Sequence, residues 1–281
     1  MEHRPPLAPL LALALVAACA TPGSPGASGV PHYLDSGGTD TQALVLVHGW
    51  ASSTESWRHQ FPDLADLGRV LAVDLPGHGA SAPPANGYSM AGFADAIAAA
   101  MDDAGVREAV LVGHSNGVPV IAHFYRRHPE RTLALVGLDG TLKQLFDAET
   151  FEPAFAPFRG EDWREVMSEM IAAMPGPGLA DDDRAAIEAM ALGTRHEAVI
   201  GGAEATLDPA AWSEAPIEVP LLLIHARQPT WDADYEAFVR RLAPQVDYRV
   251  WDGVGHYLQM ERPAELRAAL EEFLAAHALL R

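Results

Sequence analysis

The chain has 281 residues, nearly half of them hydrophobic, enough to bury the core of one large α/β domain and too apolar for a disordered chain. Thirty-eight Asp and Glu against 19 Lys and Arg give a formal net charge of −19, which repels phosphate backbones and anionic lipid headgroups. A nucleic acid partner is therefore not expected, and the acidity reads as a well-solvated surface.

The first 19 residues, MEHRPPLAPLLALALVAAC, combine a short polar start containing Arg4, an apolar stretch from Leu7 to Val16 and small residues up to Cys19. This is the outline of a signal peptide, and the apolar stretch is too short to span a membrane. The segment Val16-Ala17-Ala18-Cys19 resembles the bacterial lipoprotein signal, in which cleavage precedes a Cys that is then acylated. Residues 1–18 are read as the signal peptide. Residues 19–29 are read as a lipidated Cys19 and a flexible TPGSPGASG spacer. The expected location is the cell envelope, tethered to a membrane through Cys19; cleavage after Ala20 would instead discard the Cys and leave a secreted or periplasmic protein. As the chain has a single Cys, no intramolecular disulfide can form.

Six short apolar runs follow, at Ala43–His48, Arg69–Asp74, Ala109–Gly113, Leu133–Leu138, Val219–His225 and Tyr248–Trp251. They are mostly continuous rather than alternating, as strands covered on both faces of a parallel sheet should be. Helical periodicity occupies Met90–Ala104, with Ser89 as N-cap, Val118–His128 and Ala264–Ala276. The pattern predicts an α/β protein with a doubly wound, mostly parallel sheet. Between residues 142 and 216 no strand is evident, while helix-like runs are broken by Pro153, Pro157, the Pro175-Gly176-Pro177-Gly178 break and Pro209. That segment predicts a helical cap, dividing the core into residues 30–141 and 217–281. Phe155, Phe158, Trp163, Met167, Met170 and Met174 either line a pocket from above or pack the cap onto the sheet.

Three motifs carry chemistry. Gly113-His114-Ser115-Asn116-Gly117 lies between the run AVLV and a helical segment, the setting in which a tight turn pushes a Ser hydroxyl out above a sheet. Upstream, the run LVLV ends in His48-Gly49-Trp50. Backbone N–H groups of Trp50 and Asn116 are the candidates to hold a developing oxyanion, with Gly49 permitting close approach. Downstream, Gly255-His256 follows the last apolar run and supplies an imidazole that can take and return a proton.

Together these residues resemble the α/β-hydrolase family from about Val30 to the C-terminus. Asp74-Leu75-Pro76-Gly77-His78-Gly79-Ala80-Ser81 is similar to the family's D-x-P-G-x-G-x-S loop, and Gly255-His256 with Glu261-Arg262-Pro263 is similar to its C-terminal signature. The resemblance implies a cap after the family's sixth strand, Ser115 as nucleophile, His256 as base, and no metal or organic cofactor. Ser at position 115 separates the chain from the haloalkane dehalogenases and epoxide hydrolases, which attack with Asp.

The third catalytic group departs from the common pattern. Most of the family carries the acid after the seventh strand, where this chain has Pro229 in LLIHARQPTWDAD. Asp139, at the end of the sixth-strand run LALVGLD, is the favoured candidate, because a carboxylate following apolar residues needs a partner such as His256. Asp232 is the reserve, with a helix N-cap as its other role. The expected function is ester-like hydrolysis of a small, largely apolar substrate through an acyl-enzyme. The alternative is a membrane-tethered ligand-binding protein that keeps the fold without useful turnover.

Overall fold

The computed structural model describes residues 21–22, 29–174 and 176–280. The expected signal peptide, Cys19 and most of the spacer lie outside them. Within the spacer, Thr21–Pro22 forms a two-residue strand, β1, paired antiparallel with β2 (Tyr33–Asp35), so these two spacer residues are strand rather than free linker.

The remaining strands are β3 (Gln42–Val47), β4 (Val70–Val73), β5 (Glu108–His114), β6 (Thr132–Leu138), β7 (Leu221–Ala226) and β8 (Asp247–Trp251). They form one sheet in the order β1-β2-β4-β3-β5-β6-β7-β8. All pairings from β4 to β8 are parallel, and only the β1 and β2 pairings are antiparallel. β1 and β2 escape sequence pattern because two or three residues cannot show a period.

The continuous apolar runs have a simple cause. Val45, Val47, Leu71, Val73 and Leu111 face one core cluster, under the helices α2 (Met90–Asp103), α3 (Gly117–Arg127) and α8 (Ala233–Leu242). Their neighbours Leu44, Leu46, Val70, Ala72, Val110 and Val112 face a second cluster, under α10 (Pro263–Ala276). With both faces covered, alternate side chains are all buried, and burial of each large aliphatic side chain stabilises by about 1.5–3 kcal/mol. α10 buries Leu266, Ala269, Leu270, Phe273 and Leu274, a single stripe at helical spacing. Ser89 caps α2 by accepting from the Gly92 N–H at 3.0 Å. The short helices α1 (Gln60–Leu64) and α9 (Leu258–Glu261) complete the core.

No strand falls between residues 142 and 216 among the described residues. The segment holds α4 (Ala148–Phe155), α5 (Trp163–Ala173), α6 (Asp181–Gly193) and α7 (His196–Glu204), with short 3-10 turns between them. Its own core unites Trp163, Met167 and Ile171 of α5 with Ile187 and Ala191 of α6, and continues onto Tyr257 and Met260 beside His256. The cap is thus seated on the carboxyl edge of the sheet, the edge where open α/β sheets bind ligands.

Candidate active site

The first functional element is the turn that follows β5. Ser115 has φ of +54°, a left-handed conformation that costs a non-glycine residue on the order of 1 kcal/mol. Its N–H donates to Leu138 O at 2.8 Å and its carbonyl accepts from Val118 N at 3.0 Å, so the sheet and α3 hold the strain in place. A Cβ on Gly117 would lie 2.5 Å from Val47 O, and one on Gly113 would lie 2.6 Å from Gly117 O. Only glycine fits where β3, β5 and α3 converge, which is the physical content of the G-x-S-x-G spacing.

Ser115 Oγ is 2.9 Å from His256 Nε2, and His256 Nδ1 is 2.7 Å from Asp139 Oδ2. With Nδ1–H donating to the carboxylate, Nε2 is left to accept the Ser115 hydroxyl proton. The three side chains come from the carboxyl ends of β5, β6 and β8, and β5 and β6 are adjacent, with His114 paired opposite Leu138. Ser115, Asp139 and His256, separate in sequence, are therefore brought into one hydrogen-bonded relay.

Asp139 is 1% exposed and sits in a ring of donors. Besides His256, it accepts at Oδ1 from the Ala226 N–H at 2.9 Å and from the Trp231 indole at 2.8 Å, with longer contacts from the Gln228 amide at 3.3 and 3.4 Å. Burial alone would raise its pKa, but the bonds from His256, Ala226 and Trp231 outweigh it and hold the carboxyl below its ordinary value. The three supporting donors all belong to the end of β7 and the loop after it. Sequence reasoning asked that loop for an acid and missed its role as donor; the signal was Trp231, an N–H-bearing aromatic two residues after Pro229.

The reserve acid is corrected. Asp232 Oδ1 accepts from Tyr235 N at 2.9 Å and caps α8, the other role considered for it. It makes no bond to His256 among the described residues.

At the end of β3, neither the Trp50 nor the Asn116 backbone N–H has a hydrogen-bond partner among the described residues, and both residues line the pocket that contains Ser115. Gly49 serves a tighter purpose than approach to a ligand, since a Cβ there would lie 2.8 Å from Ser115 Cβ. The Trp50 indole donates to Val199 O of α7 at 2.7 Å and meets Phe155 and Phe158 edge-on, which ties this loop to the cap. His48, fully buried, donates from Nδ1 to Gly49 O and accepts at Nε2 from Leu75 N, so it braces the same turn as a neutral ring.

The two remaining motifs are supports. Asp74 accepts from Thr54 N, Ala80 N and His32 Nδ1, while Ser81 Oγ donates to Asp74 O, closing the loop on itself. Glu261 Oε1 accepts from Gly255 N at 2.8 Å and from Gly176 N at 2.7 Å. With His256 N donating to Met174 O at 3.0 Å, this fastens the end of α5 to the loop carrying His256.

The pocket over Ser115 has a volume of about 630 Å³. Its wall is largely apolar and aromatic, with Trp50, Phe146, Phe155, Met174, Trp212 and Trp231, the makeup of a small-molecule site. Of the six cap residues proposed to line a pocket, Phe155 and Met174 do so here. Phe158, Trp163 and Met167 are buried in the cap's own core, while Met170 packs against it and lines a smaller cavity beside Ser115. Among the described residues, no group of three or more His, Cys, Asp or Glu is arranged to hold a metal ion.

A family model described as the alpha/beta hydrolase fold matches residues 42–263. The chain belongs to the α/β-hydrolase fold family. Among curated α/β hydrolases, it is 29% identical to a bifunctional esterase/perhydrolase of Acinetobacter calcoaceticus, over 69% of this chain and 76% of that one. A shorter match, 38% identical over 34% of this chain and 28% of the relative, joins it to epoxide hydrolase B of Mycobacterium tuberculosis. Among solved structures, a thermophilic esterase from Thermogutta terrifontis superposes with a TM-score of 0.76 at 25% identity, covering 87% of this chain and 93% of the other. The enol-lactonase of Burkholderia xenovorans, at 21% identity and a TM-score of 0.75 over 87% and 96% of the two chains, shares the fold.

Proposed function

We propose that this α/β hydrolase is a serine hydrolase that cleaves an ester-like bond of a small, largely apolar substrate through an acyl-enzyme on Ser115. The observation that carries the reading is the continuous relay from Ser115 Oγ through His256 to Asp139, at 2.9 and 2.7 Å. In the first half-reaction Ser115 Oγ attacks the carbonyl carbon and its proton passes to His256 Nε2. The oxyanion forms against the unpaired N–H groups of Trp50 and Asn116, each such donor contributing about 3 kcal/mol to the transition state. Asp139 stabilises the imidazolium, which then protonates the departing alkoxide. Water releases the acyl group by the reverse sequence.

The esterase named among the matched relatives supports the ester bond as the default, and the apolar wall of the pocket supports an apolar substrate. The complete relay argues against the ligand-binding alternative, whose main support was the missing acid at Pro229. A broad screen of short and medium-chain esters, with Ser115→Ala as control, tests the reading. Activity in the unaltered protein that disappears in the variant supports it, and activity that survives Ser115→Ala defeats it.

We further propose that the protein is exported and tethered to a membrane by acylation of Cys19, on the strength of the VAAC segment and the apolar stretch before it. Cys19→Ser should release the protein from membrane fractions, and retention without the thiol would refute the anchor.

A further inference from the structure

Beneath the cap, beside the large pocket and sharing Trp50, Ser115, Met174 and His256 with it, lies a cavity of about 30 Å³ whose wall also includes Gly49, Ser52, His114 and Ile171. Its size suits one water molecule or two, since about 10–15 Å³ suffices for one. It touches both Ser115 and His256, the two groups that a deacylating nucleophile must reach.

His114 gives this cavity its chemistry. Its Nε2–H donates to His256 O at 2.9 Å, which leaves the lone pair on Nδ1 as an acceptor. The residue is 1% exposed, and Nδ1 is buried with no partner. Burial first, and then the neighbouring His256, push its pKa down to about 3, so the ring stays neutral and the acceptor stays open. A buried acceptor left unpaired costs about 1–3 kcal/mol. A donor in the adjoining cavity removes that cost. Ser52 Oγ, whose proton points to Met190 Sδ at 3.7 Å, offers a second acceptor on the same wall.

We propose that this cavity seats the water that hydrolyses the Ser115 acyl-enzyme, and that His114 is a positioning residue orienting it through Nδ1. The inference rests on the acyl-enzyme reading above. While the acyl group fills the large pocket, water held behind the cap can reach the acyl carbon without displacing it. In the step, a water O–H bond breaks and its proton passes to His256 Nε2 as the new C–O bond forms. The tetrahedral intermediate then expels Ser115 Oγ, which recovers that proton, and the carboxylic acid leaves.

The test separates acylation from deacylation. His114→Gln keeps an amide donor for His256 O and loses the Nδ1 acceptor, while Ile171→Phe fills the cavity from the cap side. For each variant, the rate of Ser115 phosphonylation by a fluorophosphonate reports attack without water, and intact mass during turnover of p-nitrophenyl butyrate reports the acyl-enzyme. The expected result is phosphonylation within about twofold of the unaltered protein, release slowed at least tenfold, and an acyl group accumulating on Ser115. Equal falls in both rates without accumulation, or unchanged turnover in both variants, would overturn the seat. Failure of the unaltered protein to label at Ser115 would instead remove the acyl-enzyme reading, and this inference with it.

Discussion

Trp231 donates its indole N–H to Asp139 Oδ1 across 2.8 Å, so the loop that lacks an acid supports the acid contributed by the neighbouring strand. Pro229 lies between Gln228 and Trp231, which both turn toward the carboxylate. The same indole stacks on buried His225 at 4.3 Å between ring centroids, which fixes its orientation from behind.

Removing the charge at the end of the relay tests the assignment of the acid. Asp139→Asn should lower kcat by about 10⁴-fold with the fold preserved, because an amide cannot hold the imidazole in the required tautomer or stabilise its charge. Asp232→Ala should leave kcat within about twofold and cost about 1 kcal/mol of stability through loss of the α8 cap. Steady-state kinetics and denaturant melts measure both, and the opposite pattern would move the acid to Asp232.

The support of Asp139 can be loosened without removing it. Trp231→Phe keeps the ring and deletes one N–H donor, so the Asp139 carboxyl should move back up toward its ordinary range. The less-shielded carboxylate then favours the protonated His256 ring, so the acid limb of the kcat/KM profile should shift to higher pH, with kcat lowered about tenfold. An unmoved limb would mean that the indole serves only to pack.

Glu261 Oε1 bridges the Gly176 and Gly255 N–H groups, and a Gln carbonyl can do the same. Glu261→Gln should therefore stay near the unaltered kcat, while Glu261→Ala should lower kcat and increase proteolysis around residues 174–180. Equal losses in the two variants would show that the negative charge, rather than the bridge, is what matters there.

Buried neutral histidines set an acid limit on stability. Burial pushes His78 and His114 to about 3 and His225 to about 4. Their folded pKa values lie below the unfolded value of about 6.5, so the unfolded chain binds more protons on acidification. Their stabilising contribution is complete above about pH 6.5 and is lost as pH falls toward 3–4, at about 2 kcal/mol each by pH 5. Melting temperature should decline steadily from pH 7 to 5. A flat profile would contradict the neutral, buried state of these rings.

The fold was legible where one physical constraint acted on many residues. Strands buried on both faces leave continuous apolar runs, and the expected β3 to β8 agree with the observed strands to within one or two residues at each end. Ser115, Asp139 and His256 could be read because each follows an apolar strand run and lies within two residues of a glycine. The supports could not be read. Trp231, Gln228, Ala226 and Asp139 meet only through the register of β6 against β7, and Glu261 meets Gly176 only once the cap is seated. Pairings of this kind, 85 to 92 residues apart for the bonds of Trp231 and Glu261, leave no periodic trace in the chain.

The central claim is that the Ser115 hydroxyl is an activated nucleophile. Intact mass of the folded protein after treatment with a fluorophosphonate tests it most directly. The account predicts one adduct per chain, located at Ser115, abolished in Ser115→Ala and slowed by orders of magnitude in Asp139→Asn. An inert Ser115 in folded protein, or equal labelling of the Ser115→Ala variant, would contradict it.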